Sequence, residues 1–105
     1  MVSILEEKKG ENIVLMDLQG VVSFTDYFVI CTGSSDRMLN GLADAVSDGV
    51  RAKYKIKARP QGEASAGWVI VDCDDVIVHV FAAEQRDYYN LEELWREGKT
   101  LLKLQ

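Results

Sequence analysis

The stretch DYFVICTGSSDR, residues 26–37, runs from an apolar segment through a small polar turn into charge. Tyr27 to Thr32 is aromatic and β-branched with no polar alternation, the pattern of a strand covered on both faces. From Asp36 the period changes. Leu39, Leu42, Ala43, Val46 and Val50 share one face of a helix predicted over Asp36–Tyr54. A central strand that turns into a long amphipathic helix calls for a small mixed β-sheet with helices packed on it, an α+β fold. Gly41 and Gly49 interrupt the helix at about 1 kcal/mol each against alanine. A neighbouring element packed closely against them is expected to offset that cost.

Outward from this stretch, residues 3–9 read as a short helix ended by Gly10, and Ile13–Leu18 as a strand ended by Gly20. Trp68–Asp72 and Val76–Phe81 read as two strands of a hairpin joined by Cys73-Asp74-Asp75. On the second strand, Val76, Val78 and Val80 point one way, and Ile77, His79 and Phe81 the other. The lone proline, Pro60, and the small polar residues 61–67 read as a connection. Leu91–Lys103 reads as mostly helical with a break at Gly98. No repeat or linker divides the chain, so residues 1–105 are expected to form one domain.

Hydrophobic residues make up 48% and charged residues 28% of the chain, a globular mixture rather than a disordered one. No apolar run approaches the roughly 20 residues of a membrane span, and MVSILEEKKGE does not read as a signal peptide. A cytoplasmic protein is expected. Cys31 and Cys73 suit small apolar fillers of a reducing compartment, and one histidine leaves a Cys/His zinc site short of ligands. The net charge of −5 argues against a general nucleic-acid binder. RAKYKIKAR, residues 51–59, runs against that balance: its five cations carry +5, leaving −10 on the rest. Lys53, Lys55, Lys57 and Arg59 fit a solvated helix end leading into an edge strand. They also fit a contact with an RNA backbone.

Three features bear on chemistry. Thr32-Gly33-Ser34-Ser35 suits an anion cradle or a plain helix cap, but neither a Walker lysine nor G-x-G-x-x-G accompanies it. Asp72, Asp74 and Asp75, together with Gly33-Ser34, are similar to the metal-binding acids and Gly-Ser turn of a nucleotidyltransferase, although a whole helix separates them. Such acids equally suit solvation of a tight turn. His79, between Val78 and Val80, fits a half-buried residue with one good hydrogen bond. Trp68, at a loop-to-strand boundary, is either core or a binding hot spot.

Taken together, DYFVICTGSS, LADAV, GWVIVDCDDVIVHVF and RDYYNLEELW resemble, in the same order, the Iojap-like ribosomal silencing factors, also called RsfS. The resemblance covers about Gly10 to Arg96. It implies a nucleotidyltransferase-like core without catalytic acids, no cofactor, no metal and no enzymatic activity. It further implies a factor that binds the large ribosomal subunit through ribosomal protein number fourteen, near the sarcin–ricin rRNA, and blocks small-subunit joining to repress translation when nutrients are scarce. Matched by position, Trp68 becomes the leading anchor and Cys73 a second contact, with Asp72, Asp75 and His79 in the same partner-binding hairpin. Tyr88, Leu91 and Trp95 match a closing motif read as packing. Gln61 stands where the family often has Glu, and Asp74 where it has Gly, which puts the turn's shape in question. The rival readings are a magnesium-dependent nucleotidyltransferase using Ser34, Asp72 and Asp74, and a ribosome-assembly adaptor. A homodimer is compatible with so small an acidic domain.

Overall fold

The computed structural model of the chain describes residues 2–104. Its elements are α1 (Val2–Glu7), β1 (Glu11–Asp17), β2 (Tyr27–Thr32), α2 (Asp36–Tyr54), β3 (Arg59–Glu63), β4 (Trp68–Asp72), β5 (Val76–Phe81), α3 (Ala83–Tyr89), α4 (Leu91–Leu94) and β6 (Lys99–Leu104). A single 3₁₀ turn, Ala64–Ala66, links β3 to β4. The strands form one six-stranded sheet in the order β3-β4-β5-β2-β1-β6. Every neighbouring pair is antiparallel except β2 and β5, which run parallel with Phe28 beside Ile77 and Ile30 beside His79. The expected α+β fold with a mixed sheet is the observed one.

Strand alternation sorts the side chains onto two faces. One face carries Val29, Cys31, Val69, Val71, Val78 and Val80 and is closed by α1 and α2. The helix buries Leu39, Leu42, Ala43, Val46 and Val50, the same five residues its periodicity singles out. Leu39, Leu42, Val46 and Val50 are each worth roughly 1.5–3 kcal/mol, the figure for a large aliphatic side chain taken fully out of water. The other face carries Phe28, Ile30 and Phe81, packed with Leu18, Leu91 and Trp95. No long helix covers it.

The turn after β2 is a cap. Ser35 holds an extended backbone, and its Oγ accepts the Met38 N–H at 3.1 Å, while Asp36 occupies the first turn. At the far end Lys55 adopts the left-handed conformation, and its N–H donates to the Arg51 carbonyl. The basic segment then leads into β3, as the edge-strand reading expects.

Two expectations are corrected, and one element is added. Pro60, Gln61, Gly62 and Glu63 are not a loop but part of β3, an edge position that tolerates a proline's missing N–H. Ala83–Tyr89, on which the sequence reading is silent, is helical. Leu91–Lys103 is helical only to Leu94. Gly98 lies so close to Leu18 and the Asp17 carbonyl that a Cβ would collide with the Leu18 side chain. The chain folds back there, and Lys99–Leu104 pairs antiparallel with β1. Leu101 and Leu102, which complete the helical spacing in sequence, are exposed on that edge strand.

The two glycines of α2 differ. A Cβ on Gly49 would fall 2.4 Å from Ile4 Cδ1, so α1 is seated there, whereas Gly41 has nothing within 4 Å. Gly41→Ala should therefore stabilise the protein by about 1 kcal/mol in urea unfolding, the full propensity gain. Gly49→Ala should fall short of that because Ile4 must move. Equal gains would show that α1 does not depend on that contact.

Candidate functional site

The open face of the sheet is hollowed between three pieces of chain. Trp68 and Ile70 come from β4, and Ile77 and His79 from β5. Phe28 lines the floor, while Phe24, Leu91, Leu94 and Trp95 rise from the connecting segments. Together with Gln61 and Asp72 they enclose a groove of about 420 Å³. Phe24 is 55% exposed and Leu94 65% exposed, so the walls offer apolar surface to solvent. The aromatic rings touch one another: Phe24 sits edge-on to Trp95 at 6.1 Å, and Phe28 to His79 at 4.5 Å.

The wall that carries Phe24 is fastened to the hairpin turn. The Asp75 carbonyl accepts from Thr25 Oγ1 at 2.9 Å, from the Asp26 N–H at 3.0 Å and from the Tyr27 N–H at 3.1 Å. On the opposite side Arg86, from α3, donates to the Glu92 carboxylate, to Thr32 Oγ1 and to the Asn12 carbonyl. That guanidinium is nearly buried, so the charge-assisted bonds hold α3 and α4 against the ends of β1 and β2. Nothing in sequence marks Arg86 out, because its partners lie up to 74 residues away.

Trp68 is half-buried. Its ring lies against Phe81 at 4.9 Å and Tyr89 at 4.6 Å, and its Nε1 donates to His79 Nδ1 at 3.2 Å. His79 is 5% exposed, and burial lowers its pKa to about 4. Its Nε2 is the one buried side-chain polar atom without a partner among the described residues, at a cost of about 1–3 kcal/mol.

The other expected site residues divide. Asp72, Asp74 and Asp75 are exposed at the groove's end, and Asp72 accepts the Asp74 N–H at 3.0 Å. Asp74 takes the left-handed conformation (φ 66°), so the turn keeps a shape that glycine would adopt more cheaply. Cys73 is 2% exposed and turned into the core beneath α2, and the expectation that it touches a partner is corrected to one of filling. His79 is likewise too buried to meet a partner directly. Burial raises the Cys31 thiol to about 12 and, with help from Asp72 and Asp74, the Cys73 thiol to about 11, leaving both unreactive. Tyr88, expected to pack, is 81% exposed, while Leu91 and Trp95 do pack. Lys53, Lys55, Lys57 and Arg59 are all exposed, and pairing of Arg59 with Asp72 brings the basic segment to the hairpin end of the sheet.

The nucleotidyltransferase constellation is not assembled. Gly33, before Ser34, binds the Phe81 carbonyl at one end of β5, whereas the acids flank Val76 at the other. Five strand residues, roughly 17 Å, lie between. A larger groove of about 680 Å³ does pass Ser34 and Ser35 between α1 and α2, but Asp44 and Asp48 line it together with Lys8 and Arg37. Mixed charge and a Ser35 already engaged as a cap suit no phosphate. The aromatic groove is the better candidate.

Fold and groove define an α+β sheet domain whose open face is shaped for contact. The family profile described as "Ribosomal silencing factor during starvation" matches residues 1–105. Ribosomal silencing factor RsfS of Bacillus subtilis (strain 168) is 39% identical over 93 residues, covering 89% of this chain and 79% of that protein. A crystal structure of a Chromobacterium violaceum protein superposes with a TM-score of 0.84 at 34% identity, covering 90% of this chain and 78% of that one. A mouse protein, "Mitochondrial assembly of ribosomal large subunit protein 1", is 29% identical over 101 residues, covering 90% of this chain and 43% of its own. The chain belongs to the ribosomal silencing factor family, RsfS, as its Iojap-like sequence blocks imply. It is thus a ribosome-associated regulator of translation. No helix among the described residues is long and apolar enough to cross a membrane.

Two outcomes follow from this geometry. His79 stays neutral in the folded chain down to about pH 4 but binds a proton near 6.5 when unfolded. Its contribution is complete above pH 6.5 and declines as pH falls toward 4, by about 1.4 kcal/mol per unit. Unfolding at pH 5 should be easier than at pH 7 by about 2 kcal/mol on this account, and His79→Leu should flatten the slope. Asp74→Gly should raise stability by up to about 1 kcal/mol by relieving the left-handed backbone. A loss instead would show that the aspartate carries weight in the turn.

Proposed function

We propose that this protein binds the large ribosomal subunit through ribosomal protein number fourteen and sterically blocks joining of the small subunit, repressing translation in the cytoplasm under nutrient limitation. It acts by occupying a surface, with no cofactor, metal or catalytic step. The observation that carries this reading is the half-exposed aromatic groove headed by Trp68. Apolar contact area of that kind, desolvated on docking, is where hot-spot energy concentrates. Asp72, which lines the groove, and the exposed Asp74 and Asp75 of the adjoining turn complement a basic ribosomal protein and speed encounter. Lys53, Lys55, Lys57 and Arg59, beside the acidic turn, reach adjacent rRNA as a peripheral, salt-sensitive contact.

The mouse relative's name, which concerns assembly of the large subunit, favours a second reading as an assembly adaptor using the same face. Addition of small subunits to preformed complexes separates the two, since an adaptor leaves mature subunits free to join.

Co-sedimentation with purified large subunits is the direct measurement. Trp68→Ala should weaken pelleting by about tenfold or more and restore subunit joining in proportion. Asp75→Lys, whose side chain makes no hydrogen bond or ion pair among the described residues, should slow association chiefly at low salt. If both variants pellet and block joining like the parent, the groove is not the docking site.

A further inference from the structure

His79 occupies a position that packing alone would give to a hydrocarbon. Ile77 and Phe81, its neighbours on the same face of β5, are apolar, and both cores flanking the sheet are aliphatic or aromatic. A leucine there would fill space without stranding an N–H, whereas His79 leaves Nε2 buried and unpaired. What leucine cannot do is accept a hydrogen bond. His79 Nδ1 takes the Trp68 indole N–H at 3.2 Å across the β4–β5 ladder, where Trp68 faces Phe81 and Ile70 faces His79. Only a bare nitrogen accepts, so the ring proton must sit on Nε2, the same atom that lacks a partner. The unpaired N–H and the tryptophan bond are two consequences of one tautomer.

The remaining contacts of Trp68 do not set its rotation. Phe81 and Tyr89 lie against the indole with planes inclined at 26° and 42°, which restrains the tilt of the ring but is met equally by the ring flipped through half a turn about Cβ–Cγ. Among the described residues its single directional contact is the bond to His79. Because the indole's only polar atom is drawn inward, the part of the ring left half-exposed is hydrocarbon.

We infer that His79 is a positioning residue for Trp68: its Nδ1 selects one of the two flips of the indole about Cβ–Cγ, turning the N–H inward and an apolar edge outward to the groove. This rests on the reading of Trp68 as the ribosome anchor, and it assigns the histidine a role in recognition that burial denies it by direct contact. A partner meets no polar atom on that ring, so the indole makes a dry contact with no water to displace from nitrogen. The cost of the unpaired Nε2 is retained for that orientation.

The unmodified protein supplies the first test. Nitrogen-15 NMR of the histidine ring should show Nδ1 bare and Nε2 protonated, and the Trp68 indole proton should exchange more slowly than that of Trp95. A ring protonated on Nδ1 would overturn the inference without any variant. Substitutions supply the second, each checked for folding by circular dichroism. His79→Asn sets an amide oxygen near the place of Nδ1, His79→Gln sets it near Nε2, and His79→Leu has no acceptor. In a Trp95→Phe background, Trp68 emission should keep its position in His79→Asn and move to longer wavelength in the other two. Affinity for large subunits should fall about tenfold in His79→Leu and His79→Gln but stay within about threefold in His79→Asn. If His79→Asn is as poor as His79→Leu, or His79→Leu as good as the parent, the positioning role is refuted. Should Trp68→Ala bind normally, the anchor assignment itself fails, while the NMR result still judges the orientation on its own.

Discussion

The parallel pairing of β2 with β5 is the contact on which the molecule depends. It joins the strand of the N-terminal third to the second strand of the hairpin, across an intervening helix and two other strands. Parallel neighbours need a long crossover, and α2 with β3 and β4 provides it. The register sets Phe28 beside Ile77 and Ile30 beside His79 on one face, and Val29 beside Val78 and Cys31 beside Val80 on the other. A slip of one residue would drive the groove's aromatics under α2 and put the valines into water. One ladder thus fixes the hydrophobic core and the composition of the exposed face together.

That exposed face is an uncommon compromise. A sheet covered on one side by helices usually presents polar residues on the other, whereas here rings are offered to solvent and only partly sheltered by short helices and a loop. The compromise is stabilised at its margins by polar contacts of long sequence separation: Thr25 to the Asp75 carbonyl on one side, Arg86 to Thr32 and Glu92 on the other. Neither cluster faces the groove's interior. They tie the segment carrying Phe24 to the hairpin turn, and α3 and α4 to the ends of β1 and β2.

Much of the fold is legible in the sequence because its signals are local. The span of α2, a serine cap at its start, the hairpin from Trp68 to Phe81 and its alternating faces all follow from periodicity and turn chemistry, while the choice of Ser35 over Ser34 does not. What escapes is whatever long-range pairing decides. Leu91, Leu94, Trp95, Leu101 and Leu102 have helical spacing, yet β1 needs a partner on its free side, and β6 supplies it after the close turn at Gly98. For the site, Trp68 and the acids of the turn can be singled out from composition and position. The walls that make a groove of them cannot: Phe24 and Leu94 are ordinary loop and helix residues until the chain is folded. Cys73 misleads for a related reason, since a turn residue is presumed exposed and this one points inward.

The groove draws its walls from early, middle and late parts of the chain, with Phe24, the β4–β5 ribbon and Trp95 meeting only in the finished fold. On the reading proposed above, a chain folded only through β5 has no complete docking surface, because the wall carrying Leu94 and Trp95 is still missing. Docking of the kind proposed above is then a property of the folded domain, and no isolated hairpin or helix carries it.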